Sequence, residues 1–286
     1  MEKISFVECP RDAMQGLHNF IETADKIKYL NALLKCNFDV LDFGSFVSPK
    51  AIPQMRDTQE VLNGLDLNGV NTKLLAIIAN ERGAQSAILN EQISILGFPL
   101  SISETFQQRN TNASISDAWK MLDGISNLCQ QTNKELLVYL SMGFGNPYGD
   151  VWNEEIVSDF SAKLYNQLGV KTIALSDTIG CATPTLVSDL FRSISNEQKQ
   201  VEFGAHLHVL PQNAFSIIEA AYQSGCRRFD GAIKGFGGCP MAKDDLTGNM
   251  PTEKLLEWFL EKGITTSIDQ QAFNNAYEMS TSIFNS

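Results

Sequence analysis

Pro10-Arg11-Asp12-Ala13-Met14-Gln15 follows the first segment that reads as a β-strand, residues 3–8. An open dinucleotide-binding sheet carries GxGxxG at that turn, because glycines let the backbone close on a pyrophosphate. Here an Arg-Asp pair stands in its place, and the glycine fingerprint is absent. A closed (β/α)8 barrel makes a different prediction, that reactive side chains gather at the C-terminal ends of several strands.

Working outward from that turn, apolar β-rich runs fall at 3–8, 40–44, 73–78, 92–95, 134–142, 172–176, 201–207 and 228–232. Segments of helical spacing lie between them, among them 23–34, 114–131, 153–168 and 212–224. Strand and helix alternating about eight times, with short connections and no Ser/Gly linker, indicates a parallel sheet. The strand ends then carry Arg11 and Asp12 after the first, Asp42 in the second, Glu104 after the fourth and Tyr148 after the fifth. Asp177 and Thr178 follow the sixth, and His206 and His208 close the seventh. Polar groups collect where a barrel has its mouth. The expected fold is an α/β (β/α)8 TIM barrel, one domain over 1–286, with an eighth helix at 251–262 and a C-terminal helical extension at 269–280.

Asp and Glu outnumber Lys and Arg by 33 to 22, a net charge of -11 with pI near 4.8. That balance argues against a phosphate-backbone binder, so no nucleic-acid partner is expected. No apolar run approaches the roughly 18 residues of a membrane span, and no secretory leader is visible, so no membrane partner is expected either. The six cysteines lack CxxC spacing, which fits reduced thiols in a cytoplasmic protein.

Two of the three histidines, His206 and His208, alternate along a strand and so project from one face. With Asp12 and the amide oxygen of Asn249 they would make four ligands bearing one negative charge, a set that suits Mg2+ or Mn2+ with positions left open. Singly each has a plain reading: Asp12 pairs with Arg11 or caps a helix, and Asn249 is turn chemistry. Jointly, at strand ends of one barrel, they read as a site.

Five stretches carry a family resemblance: Glu8-Cys9-Pro10-Arg11-Asp12, Ser45-Phe46-Val47-Ser48-Pro49-Lys50, Ser176-Asp177-Thr178-Ile179-Gly180, His206-Leu207-His208, and Gly237-Gly238-Cys239-Pro240 with Gly248-Asn249. The chain resembles the hydroxymethylglutaryl-CoA lyases, metal-dependent carbon-carbon lyases built on a TIM barrel. The resemblance implies retro-Claisen cleavage of 3-hydroxy-3-methylglutaryl-CoA, or a close analogue, to acetyl-CoA and acetoacetate. It also implies an acyl-CoA partner and a homodimer. Arg11 would stabilise the enolate oxygen, and Cys239, on a loop with Gly235, Gly237 and Gly238, would return a proton to the enolate. Asp42 and Asp177 remain alternatives for orienting Arg11 or moving the hydroxyl proton. Gln15, Ser45, Tyr148 and Glu104 are candidate substrate contacts, and Glu253 is a candidate partner for Asn249 or a histidine, or a helix cap.

The chain departs from the family pattern at Asp42, where Glu is usual, at Asn146-Pro147-Tyr148-Gly149-Asp150, at Val209 after the histidine pair, and in a longer loop carrying Lys243-Asp244-Asp245. None removes a metal ligand, Arg11 or Cys239; they bear on the acyl group. Two other functions compete: a Claisen synthase joining acetyl-CoA to an α-keto acid, and a non-catalytic acyl-CoA-binding barrel. The synthases generally carry a long region after the barrel, which a chain ending at Ser286 is not expected to have.

Overall fold

A computed structural model describes residues 3–238 and 247–284. Eight strands form a closed barrel in chain order: β1 Ser5–Glu8, β2 Val40–Ser45, β3 Lys73–Ile77, β4 Ile93–Ser101, β5 Glu135–Ser141, β6 Thr172–Asp177, β7 Glu202–Leu207 and β8 Arg228–Gly231. Every neighbouring pair is parallel, including β1 with β8, which closes the ring. Helices α1 Pro10–Gln15, α2 Thr23–Leu34, α3 Thr58–Asn63, α4 Glu81–Ile88, α5 Glu104–Thr111 and α6 Ile115–Thr132 cover its first half. The second half carries α7 Glu154–Leu168, α8 Pro184–Glu197, α9 Ala214–Gln223 and α10 Thr252–Glu261, and α11 Gln270–Phe284 is the C-terminal extension. The expected TIM barrel is the observed one. No helix among the described residues is long and apolar enough to cross a membrane.

Two cores follow from the two covered faces of a parallel sheet. Inside the barrel Val7, Val40, Leu75, Ile95, Leu137 and Ala174 fill the centre. Outside, alternate strand residues such as Phe6, Leu41, Leu96 and Ile173 meet the apolar stripes of the helices. Phe259 of α10 is fully buried, with Phe6, Phe229 and Tyr222 edge-on at 5.3, 5.4 and 5.6 Å. Each such side chain contributes about 1.5–3 kcal/mol by leaving water. Helix starts are set by side-chain caps: Asn80 accepts from Gly83, Ser114 from Asp117 and Asn153 from Ile156.

The largest boundary difference is β4, which runs to Ser101 where the sequence reading ends at residue 95. Gly97 and Pro99 are strand-poor residues that mask the continuation. Gly97 faces inward, and a Cβ there would come within 2.7 Å of Ile77 and 3.1 Å of Tyr139. The glycine therefore makes room for Tyr139 inside the barrel. The longer strand ends close before Glu104, which opens the first turn of α5.

Candidate active site

Strand β1 ends at Glu8, and the chain enters α1 through Cys9 with Pro10 in the first turn. Proline there needs no hydrogen-bond donor, so the helix starts at once and carries Arg11 and Asp12 over the barrel mouth. Both are buried. The Arg11 guanidinium lies in a clamp: Nε donates to both Asp42 oxygens at 3.2 and 3.0 Å and Nη2 to Asp42 Oδ2 at 2.5 Å. Its remaining arm, Nη1, donates to Asp12 Oδ1 at 2.9 Å. A planar fork held by a carboxylate at two points keeps one orientation. Burial opposes the charge on Arg11, but Asp42 and Asp12 outweigh it and raise its pKa. Burial pushes Asp42 up to about 6 against the pull of Arg11.

Asp12 is the hub. Its Oδ1 also accepts from Gln15 Nε2 at 2.5 Å, and its Oδ2 accepts from Asn249 Nδ2 at 2.8 Å. Burial would raise its pKa, yet Arg11, the two imidazoles and Asn249 hold it down at about 2. His206 and His208 alternate at the end of β7, and the ligand atoms of Asp12, His206 and His208 lie within 4.8 Å of one another.

This donor set fits a hard divalent ion on its chemistry. Asp12 is an ionised oxygen donor. Burial lowers His208 to about 4, which leaves a neutral imidazole with a lone pair. For His206 burial works against protonation, but the Asp230 hydrogen bond and charge prevail and its pKa is raised. That bond, Nδ1 to Asp230 Oδ2 at 3.1 Å, leaves Nε2 for a ligand. Asn249 spends its second amide hydrogen on Phe236 O at 2.8 Å, so the oxygen is the amide atom that remains. It sits opposite His208 in an antiparallel bridge. Gly237, at φ 95°, permits this approach; a Cβ there would lie 2.7 Å from Asn249 Nδ2 and 2.8 Å from the Asp12 carbonyl.

A cavity of about 460 Å³ opens above these groups. Arg11, Asp12, His206 and His208 line it, and so do two expected substrate contacts, Gln15 and Ser45. Its far wall is mostly apolar, with Val47, Ile77, Phe106 and Met121.

Four other candidates make side-chain contacts of a different kind. Asp177 accepts from the backbone of Cys181 at 3.0 Å and Ala182 at 2.8 Å, so its carboxylate ties down the loop after β6 and neither orients Arg11 nor lines the cavity. Tyr148 stacks on Phe106 at 6.5 Å with Arg109 over its ring, behind the cavity wall to which Phe106 belongs. Glu104 is exposed and accepts from Ile115 N at 3.1 Å, which holds the start of α6. Glu253 accepts from Lys234 N at 2.9 Å and so fastens the turn after β8, not Asn249 or a histidine. Cys239 lies outside the described residues.

Two participants were missed because only strand ends were read. Asp230 is an inward-facing carboxylate within β8, and Tyr139, within β5, meets the His206 ring edge-on at 5.1 Å and lines the cavity. The available signal was a polar side chain within a strand, Asp230 two residues after Arg228 in β8 and Tyr139 among the apolar residues of β5.

The family model described as HMGL-like matches residues 4–279. The chain is 32% identical over 274 residues to the mitochondrial hydroxymethylglutaryl-CoA lyase of Rattus norvegicus, covering 94% of this chain and 82% of that protein. It is 33% identical to the 3-hydroxy-3-isohexenylglutaryl-CoA/hydroxymethylglutaryl-CoA lyase of Pseudomonas aeruginosa, covering 96% and 91%. An HMG-CoA lyase of Acinetobacter baumannii, solved with coenzyme A and 3-methylmalate, superposes with a TM-score of 0.91 at 30% identity, covering 99% of this chain and 92% of that one.

Proposed function

The chain belongs to the HMGL-like family, and on that premise we propose that it is a divalent-metal-dependent carbon-carbon lyase cleaving 3-hydroxy-3-methylglutaryl-CoA, or a close 3-hydroxyacyl-CoA, to acetyl-CoA and acetoacetate. The observation that carries this reading is the Arg11 guanidinium, clamped by Asp42 and held against Asp12 of the Asp12, His206 and His208 donor set. Asp12, His206, His208 and the Asn249 amide oxygen would hold Mg2+ or Mn2+, which supplies Lewis acidity toward the substrate's tertiary hydroxyl and carboxylate.

A basic group in the cavity takes the hydroxyl proton, the oxygen's electron pair forms the ketone of acetoacetate, and the pair of the breaking C2–C3 bond passes to the acetyl-CoA enolate. Arg11 faces that negative charge without reorganising, because its orientation is set before substrate arrives; such preorganised charge is the usual large effect in this chemistry. A proton delivered to the enolate carbon completes acetyl-CoA. Cys239 is the proposed donor, on the family resemblance. Gln15 and Ser45 are proposed to contact the acyl group from the cavity floor and wall. The proposal extends to a cytoplasmic homodimer formed from one barrel domain.

The wall of Val47, Ile77, Phe106 and Met121 also suits a 3-alkyl group longer than methyl, the kind named for the Pseudomonas relative. One experiment tests both readings. Purified protein with Mn2+ is given the 3-methyl thioester and longer 3-alkyl homologues, and products are followed by mass spectrometry with EDTA controls. Equal release of acetyl-CoA and the matching keto acid, lost with EDTA, is expected. Release of free CoA from acetyl-CoA that depends on an added α-keto acid would identify a synthase. Binding without cleavage of any thioester would identify a binding barrel.

A further inference from the structure

Beneath the candidate ligands the barrel holds a second polar layer that the proposed reaction does not use. Strands β7 and β8 pair Gly204 with Arg228 and His206 with Asp230. Residues two apart on a strand share a face, so Arg228 and Asp230 stack inside the barrel beside Gly204 and His206. All of these side chains are buried, Arg228 and Asp230 at 3% exposure each. Asp230 Oδ2 meets His206 Nδ1 at 3.1 Å, and its Oδ1 faces Arg228 Nε at 3.9 Å. Arg228 has space only because residue 204 is glycine: a Cβ there would lie 2.9 Å from Arg228 Cδ.

We infer that Asp230 is a positioning residue for the candidate metal site, accepting the Nδ1 hydrogen of His206 and so fixing the tautomer whose lone pair sits on Nε2, while Arg228 holds Asp230 in place. A neutral imidazole carries one N–H, and a carboxylate only accepts, so the 3.1 Å contact selects which nitrogen is protonated. A carboxylate behind a histidine also raises the basicity of the ligating nitrogen. Cys9, His206 and Asp230 themselves place donor atoms within 4.8 Å. They are poor ligands for a second cation, because Arg228 adds a positive charge beside Asp230 and burial raises the Cys9 thiol well above its usual range.

The inference rests on reading Asp12, His206 and His208 as a divalent-ion site, and the test separates the two. The chain has three histidines, so imidazole nitrogen-proton correlation spectra of the labelled full chain resolve each ring, with His18→Gln and His208→Gln assigning signals by elimination. At about pH 9, where neutral imidazole prevails, the His206 proton is expected on Nδ1. A proton on Nε2 overturns the inference, and this measurement needs no change at Asp230. In parallel, Mn2+ binding is measured by calorimetry. Asp230→Asn is expected to weaken it roughly 10- to 100-fold, with Asp230→Glu recovering part of the loss. If the unmodified protein fails to bind Mn2+, or Asp12→Asn binds it equally well, the ion reading fails. If Asp12→Asn weakens binding while a folded Asp230→Asn matches the unmodified protein, the positioning role fails alone.

Discussion

The arc of the barrel mouth that runs from β7 through β8 and β1 to β2 differs in kind from the arc formed by β3, β4 and β5. The first holds Arg11, Asp12, Asp42, His206, His208 and Asp230, nearly all of them in contact with another member of the set. The second offers Ile77, Pro99 and, from its helices, Phe106 and Met121, with the amides of Asn80 and Asn110 also lining the cavity. Buried charges persist only beside partners within hydrogen-bond reach, so they cluster on adjacent strands. Closing β8 onto β1 is what makes those four strands adjacent. An open sheet would leave the Arg-Asp turn at one edge and the histidine pair near the other. The charged groups and most of the apolar lining therefore occupy two different walls of one cavity.

Four substitutions break or sharpen that division. The largest effect is expected in the charged arc at Arg11→Gln, which removes the cation proposed to face the enolate. Turnover should fall roughly 10³-fold with Mn2+ affinity retained, checked by kcat beside calorimetric metal binding. A loss confined to KM would mean that Arg11 only anchors substrate. Asp42→Asn keeps the cation and loosens its clamp, so a fall of about 10- to 100-fold in kcat is expected, smaller than that at Arg11 itself. Equal losses at the two positions would assign Asp42 a part in the chemistry beyond orientation.

In the apolar arc, Met121→Trp fills cavity space without touching a charge. KM should rise by about 10-fold for the 3-methyl thioester and further for longer homologues, with kcat within about threefold. A fall in kcat alone would argue against the division.

The smallest effect on turnover is expected at Glu8, a carboxylate on the outer face of β1. It accepts from Ile233 N at 2.9 Å and Thr252 Oγ1 at 2.6 Å. Burial pushes Glu8 from its usual 4.5 up to about 8, so the folded chain keeps a proton that the unfolded chain releases. The stability this group contributes is full below about 4.5 and is lost as pH rises through about 8. Glu8→Gln removes that loss. Its Tm should gain on the parent as pH rises from about 5 to about 9, with turnover at neutral pH nearly unchanged. A constant Tm difference across that range would show that Glu8 does not titrate there.

How much of the site was legible depended on the kind of position. Arg11 and Asp12 were legible because a proline-started helix follows the strand directly, which leaves little freedom in where they point. His206 and His208 were legible because strand alternation puts them on one face. Tyr148, Glu104 and Asp177 lie in or beside loops, where neighbouring helices and backbone donors decide the direction of a side chain. Glu253, on α10, is captured by the backbone of Lys234, a contact no local pattern announces. Asp230 and Tyr139 sit within strands whose two faces are both covered, so polarity does not reveal which face is inward.

Local periodicity and turn chemistry in the sequence alone therefore determined the alternation of strands and helices and the Arg-Asp and His-x-His pairs, since each depends on neighbours a few residues away. Only the tertiary structure decided which group each carboxylate holds: Asp42 holds Arg11, Asp230 meets His206, and Asp177 ties down its own loop. Those assignments depend on register between strands and on barrel closure, which bring together residues as far apart as Asp12 and Asn249.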